Sequence, residues 1–347
     1  MTINLKELAE KLGLSQTTVS RALNGYPEVN EATRHRVQQA AVEFNYRPNS
    51  RAKSLATGRA MMIGHVIPIS NQHEMVNPVF GDFVAGASRT YAHHGYDMMF
   101  TRVEDGNEEA AYRLLKAKGS VDGVIIQGPS INDKRIPMLH ALELPFVVHG
   151  RSTETETPYT WVDVNNTRAF RRATEFLLDL GHRRIALING LEHMDFARRR
   201  RNGYVAALEN AGITLDPDLM VAGEMTEVIG HHSMRDMLKL DNPPTAVLTA
   251  SMISALGVRR AIDEAGLTIG RDVSVITHDD DLSYLKNGEN VPIFTATRSS
   301  VRKAGELLAE LLIDHIADPS LSPQNKLLEA ELVVGRSTGP APVRNGS

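Results

Sequence analysis

Residues 15–25 read SQTTVSRALNG and gather, within one short segment, side chains suited to reading a nucleic acid. Gln pairs with adenine, Arg with guanine, and Ser or Thr with a base edge or a phosphate oxygen. Val19 and Leu23 are four residues apart and face one way if the segment is helical. Ser15 is a favourable N-cap, and Asn24-Gly25 is a stop signal, so the spacing predicts a helix from Gln16 to about Leu23. Its exposed N-terminal half then carries Gln16, Thr17, Ser20 and Arg21. Ser15, with the amide groups of the helix start, suits a phosphate oxygen.

The flanking segments supply what such a helix needs to be held. Leu5, Leu8, Ala9 and Leu12 mark one face of a preceding helix, and Gly13 interrupts it. Asn30 caps a third helix whose apolar stripe is Val37, Ala40, Ala41 and Phe44, ending before Pro48. A helix, a short turn and a second helix on a packing helix form a helix-turn-helix unit, whose second helix enters the major groove. Charge agrees. Residues 1–60 carry nine Lys/Arg against five Asp/Glu, and the remainder 29 against 37. A basic head on an acidic body places a polyanion at the head alone. Residues 46–57, YRPNSRAKSLAT, are basic and carry one large apolar side chain, Leu55, among small neighbours. Such a stretch is too short to be helical alone. It is read as a hinge that folds on DNA, with Leu55 as a minor-groove wedge.

Beyond residue 60, strand-like apolar runs alternate with amphipathic stretches: MMIGHVIP (61–68), YDMMF (96–100), VDGVII (121–126) and PFVVH (145–149), then RIALIN (184–189), LMVAG (219–223), TAVLT (245–249) and VSVIT (273–277). Alternation of this kind means parallel sheets covered on both faces, and two successive sets mean two lobes. Ligands of such sheets sit at the C-terminal strand ends, here a cleft between lobes. Gln127, His149, Asn189, Ser251 and Asp279 directly follow predicted strands. Phe80 and the single Trp, Trp161, are aromatic candidates for a sugar face.

Taken together, LKELAEKLGLSQTTVSRALNG, VNEATRHRVQQAAVEFNYRPNSRAKSLATG and the body segments NPVF, DGVIIQGP, LGHRRIALING, ARRRRNGY, SALGVRRAI and RDVSVITHDD resemble the LacI/GalR family of bacterial transcriptional repressors along nearly the whole chain. The resemblance implies an all-α helix-turn-helix domain (1–47), a hinge helix (48–60), an α/β two-lobed, periplasmic-binding-protein-like effector domain (61–337) and a flexible tail (338–347). It places base-reading roles on Gln16, Thr17 and Arg21, and hinge roles on Asn49, Ala52 and Leu55. Effector roles fall on Phe80, Gln127, Arg200 and Asp279, with His149 and Ser251 added by their strand-end positions. The chain departs from the family at Ser251-Met252, where Asn-Asp is usual, and at Asn165, where Asp is frequent. Both changes favour a larger or less polar ligand, such as a disaccharide or glucoside.

The partners expected are double-stranded operator DNA, a small carbohydrate effector and a second copy of the chain, since the tail shows no heptads for tetramers. A repressor released by its sugar is the leading reading. A corepressed protein, an activator or a stand-alone sugar-binding protein are the alternatives. There is no Cys, no signal-like N-terminus and no apolar run long enough for a membrane, so a cytoplasmic location is expected. The adjacent pairs His93-His94 and His231-His232 lack the i, i+4 spacing of a helical metal site, and no nucleophile or phosphate-loop motif is present. Neither an enzyme nor a cofactor is expected.

Overall fold

The computed structural model describes residues 3–23, 25–46, 58–68, 77–104 and 107–343. The chain divides into two units, Met1–Ala60 and Met61–Ser347.

In the first unit, α1 (Leu5–Leu12) starts at a capping box in which Asn4 and Glu7 exchange hydrogen bonds, and ends at Gly13, whose φ of 62° is left-handed. Gly tolerates that conformation without a Cβ clash, so the chain turns sharply there. Ser15 then caps α2 (Gln16–Leu23), its hydroxyl accepting from the Thr18 amide at 3.0 Å. Asn30 caps α3 (Glu31–Glu43) in the same way, accepting from Thr33 at 2.8 Å. Leu8, Val19, Ala22 and Val37 are buried at the centre, with Leu23, Ala41 and Phe44 packed around them. Arg36 ties α3 to the end of α1 by donating to the Leu12 carbonyl at 2.6 Å.

The second unit holds two six-stranded sheets. The strands of the first are β1 (Met62–Pro68), β2 (Asp97–Val103), β3 (Gly123–Gln127), β4 (Phe146–His149), β5 (Trp161–Val164) and β11 (Asn325–Leu328), in the order β11-β5-β4-β3-β1-β2. All its pairs are parallel. The second contains β6 (Ile185–Asn189), β7 (Met220–Ala222), β8 (Ala246–Thr249), β9 (Ser274–Asp279), β10 (Thr295–Arg298) and β12 (Glu331–Val333), in the order β12-β10-β9-β8-β6-β7. Only its β10–β12 edge is antiparallel. Strands β6, β8 and β9 are buried along their whole length. Helices cover both faces of such a sheet, which is why these strands are continuous apolar runs rather than alternating ones.

The lobes are not successive halves of the chain, as the order of strand-like runs suggests. The helix α11 (Val301–Ala317) follows β10 of the second sheet but packs on α4 (Pro78–His93) and on β3, β4 and β5 of the first. Strand β11 completes the first sheet and β12 returns to the second. The chain therefore crosses between lobes three times, at 164–166, 298–301 and 328–331.

Three helix pairs meet backbone to backbone through glycine. Gly86 of α4 abuts the Arg302 carbonyl of α11, and Gly305 of α11 abuts Phe83 of α4. Gly203 of α8 (Asp195–Asn210) lies against Thr167 of α7 (Asn166–Asp179). Gly230 of α9 (Glu227–Met237) and Gly257 of α10 (Met252–Glu264) make the third close approach. Of the tail expected to be loose, 338–347, residues 339 and 341 are instead fastened, and residues 344–347 lie outside the described residues. Gly339 donates to Ser274 Oγ at 3.1 Å, and the Ala341 amide donates to the Leu180 carbonyl at 2.8 Å. Beneath it the buried His182 bridges Thr245, Ser274 and the Gly339 carbonyl. These buried backbone partners explain the order there, which a Pro/Gly-rich composition hides.

A Cβ at Gly257 would sit 1.9 Å from the Glu227 carbonyl oxygen. Backbone cannot yield cheaply, so Gly257→Ala is expected to destabilise the second unit by about 1–3 kcal/mol. An unchanged urea midpoint would contradict that packing.

Candidate functional site

In the first unit, Gln16, Thr17 and Arg21 are exposed along α2, Ser15 is exposed at its cap, and Ser20 is half-buried beside them. Val19 and Ala22, fully buried, turn the opposite face inward. The exposed polar face is thus a consequence of helical period: positions 16, 17, 20 and 21 share the side that the core leaves free. Asn49, Ala52 and Leu55 lie outside the described residues.

In the second unit a cavity of about 190 Å³ opens where the C-terminal ends of both sheets face each other. One water needs roughly 10–15 Å³ on that measure, so the cavity is the size of a small organic ligand. Phe80, Gln127, His149 and Arg200 line it, as expected.

Arg200 is 6% exposed and sits on α8. Its Nε donates to Asn166 Oδ1 at 2.7 Å and its Nη1 to the Ala250 carbonyl at 2.6 Å. The rings of Phe170 and Phe196 lie 5.1 and 5.0 Å from its guanidinium carbon. Burial lowers its pKa to about 10, opposed by the carboxylates of Asp280 and Asp163, and it remains a cation at neutral pH. Nearby, Arg151 Nε donates to Asp163 Oδ2 at 2.7 Å.

On the first-lobe wall, His149 Nδ1 and Gln127 Oε1 are 2.8 Å apart, and His149 stacks on Phe83 at 4.7 Å. The amide nitrogen of Gln127 is buried with no hydrogen-bond partner among the described residues. Burial drives the His149 pKa down to about 4, partly countered by Asp280, so its ring is neutral. His65 lies behind Phe80, stacked on Phe100 at 5.3 Å, and burial likewise pushes it down to about 4.

Two expected contacts do not reach the cavity. Asp279 ends β9 and points away from it; its carboxylate accepts from the Asp281 amide at 2.9 Å. His278 and Asp280 line the cavity instead. The cause is the two-residue alternation of a strand, which sends neighbours to opposite sides. Burial opposes ionisation of Asp280, but the His278 hydrogen bond and the Arg200 cation more than offset it and hold its carboxyl below the ordinary range. Ser251 caps α10, accepting from the Ser254 amide at 3.2 Å, and is 3% exposed. Its hydroxyl is committed to the helix, and the adjacent Met252 belongs to the core.

Asn189 is also turned away, donating to the Ala197 carbonyl at 2.8 Å. Trp161 packs at the edge of a first-lobe cluster with the Arg151 guanidinium 5.0 Å above its ring. The residues missed by strand-end reasoning, Asp163, Asn166 and Arg151, come from β5, from the lobe crossing that follows it and from a loop.

Residues 4–49 match the family model described as bacterial regulatory proteins, lacI family, and residues 174–338 match that of the periplasmic binding protein-like domain. The HTH-type transcriptional regulator AglR of Rhizobium meliloti (strain 1021) is 51% identical over 346 residues, 99% of this chain and 97% of that protein. The HTH-type transcriptional regulator CelR of Thermobifida fusca is 31% identical, covering 96% and 97%. Among solved structures, a transcriptional regulator CelR–cellobiose complex superposes with a TM-score of 0.71 at 30% identity, covering 96% of this chain and 99% of that one. A lac repressor dimer bound to operator and the anti-inducer ONPF gives 0.82 at 27% identity, covering 98% and 100%.

The neutral histidines generate a pH prediction. Unfolded, His65 and His149 bind protons near 6.5; folded, they do so only near 4. Between those values the unfolded chain holds more protons, so stability is full above the window and falls as pH drops through it. His65→Phe should make the slope of unfolding free energy against pH shallower there by close to one proton. Identical slopes for variant and wild type would contradict a neutral His65.

Proposed function

This chain belongs to the lacI family of bacterial regulatory proteins and is a DNA-binding transcription regulator, not an enzyme; from that premise we propose that it is a cytoplasmic, homodimeric repressor of carbohydrate-utilisation genes, released from its operator by a small neutral sugar, a disaccharide or glucoside, held in the cavity. The observation that carries the effector reading is charge balance in a cavity with apolar walls. Arg151 is paired with Asp163, and Arg200 lies in the field of Asp280 and Asp163. An uncharged ligand keeps that balance, whereas an anionic or cationic one leaves a buried charge uncompensated. Phe80, Phe83, Phe196, Met194 and Met225 supply surfaces for the CH faces of sugar rings. Arg200 has five N–H donors, of which the described protein bonds employ two. The others, with the Gln127 amide and the Asp280 carboxylate, suit ligand hydroxyls.

In the first unit, Gln16, Thr17, Ser20 and Arg21 read base edges, and Ser15 meets a phosphate. Residues 48–60 act as the hinge, with Asn49 and Ala52 against the groove and Leu55 as its wedge. Two copies present two such helices to a roughly palindromic operator. The sugar releases DNA to the extent that it favours a lobe arrangement the operator does not.

Arg21→Ala is expected to lose about 1–3 kcal/mol of discrimination against altered operator bases, read by fluorescence anisotropy at fixed salt. A uniform loss across all sequences would reassign Arg21 to a phosphate. Arg200→Ala is expected to bind operator as the wild type does while losing sugar-driven release; a normal response would exclude Arg200 as the clamp.

A further inference from the structure

The lobes touch where the chain does not cross between them, at a seam bordering the cavity. Ser130, beyond β3 of the first sheet, and Met194, just before α8 of the second lobe, face each other across an isolated antiparallel bridge. The Asp195 amide donates to the Pro129 carbonyl, and the Ile131 amide to the His193 carbonyl, each at 3.1 Å. A side-chain clip lies next to the bridge. Asp195 is 1% exposed. Its Oδ1 accepts from the Thr153 amide at 2.9 Å and from the Thr153 hydroxyl. Its Oδ2 accepts from Arg199 Nε, and Arg199 Nη2 reaches across to Thr153 Oγ1 at 2.8 Å. Thr153 belongs to the loop after β4 of the first lobe; Asp195 and Arg199 belong to α8 of the second.

We infer that this seam is the gate of the ligand cavity, with Asp195 as the positioning residue that holds it shut; the inference rests on the effector reading above only for what passes through the gate. Three features carry it. Pro129 and Met194 belong to the seam and line the cavity, so parting the seam removes a stretch of cavity wall. The backbone packs tightly there: a Cβ at Gly128 would come within 2.7 Å of the Met194 methyl. The charges are arranged for reversible opening, because Asp195 keeps its ion partner Arg199 on the same helix, one turn away. Separating the lobes breaks the Thr153 contacts and the backbone bridge but strips no charge of its partner. Water replaces what is lost, so the seam is weak enough to open and specific enough to close in one register.

The chain contains no cysteine, which permits a clean test. The flanking hydrogen bonds make Ser130 and Met194 a non-hydrogen-bonded antiparallel pair, whose Cα atoms stand about 4.5 Å apart, within disulfide range. In Ser130→Cys/Met194→Cys, the oxidised protein should release tritiated cellobiose at least about ten-fold more slowly than the same protein reduced. Without any sugar, Asp195→Ala and the milder Thr153→Val should raise the radius of gyration measured by small-angle scattering, and the oxidised crosslink placed in Asp195→Ala should restore the wild-type value. Wild-type scattering from both single variants, or equal cellobiose release from oxidised and reduced protein, would overturn the seam as a gate. If cellobiose does not bind, that sugar is excluded as effector, and the scattering series still decides the seam.

Discussion

A guanidinium almost wholly withdrawn from water sits between two sheets, and the cleft is organised around keeping it satisfied. Burying a cation without partners costs several kcal/mol. Arg200 avoids that cost through contacts drawn from several elements: Asn166 at the first lobe crossing, the Ala250 carbonyl beyond β8, two phenylalanine rings, and the fields of Asp163 and Asp280. The polar and charged partners lie at strand ends or a crossing, and the two rings come from α7 and α8. A parallel sheet delivers loops from all its strands to one edge, so two sheets facing edge to edge bring these groups together without any long-range sequence motif.

The same requirement separates the two walls. The first-lobe wall is neutral in net charge, with His149 held unprotonated and stacked on Phe83 and Arg151 paired with Asp163. The second-lobe wall carries Arg200, His278 and Asp280. A ligand with hydroxyls on one edge and CH faces on another meets both. The recognition helix obeys a simpler rule: its cap, its buried Val19 and Ala22 and its exposed Gln16, Thr17 and Arg21 are set by helical period and one serine.

That difference explains how much could be read from the sequence. The helix-turn-helix was legible nearly to the residue because caps, glycine turns and i, i+4 spacing are local. Strands β1–β4 and β6–β9 were legible as apolar runs, whereas β5, β10 and β11 were not, and Phe80, Gln127, His149 and Arg200 line the cavity. Asp279 was off by one position because three consecutive aspartates offer no clue to strand phase, which the pairing of β9 decides. Ser251 follows a strand but also opens a helix, and capping took its hydroxyl. The return of α11 and β11 to the first lobe was invisible, since an amphipathic helix does not announce which of two sheets it covers. The order of residues 338–341 depends on His182, far away in sequence.

The proposed function requires that the cavity in one unit and a DNA-reading surface in the other be energetically coupled. Coupling is reciprocal: if sugar weakens operator binding by some factor, operator must weaken sugar binding by the same factor. Calorimetric titration of the full-length chain with neutral disaccharides, in the presence and absence of saturating operator duplex, measures that factor directly. The account predicts lower sugar affinity on DNA, matched in size by the loss of operator affinity under saturating sugar. Equal sugar affinity with and without operator would contradict it.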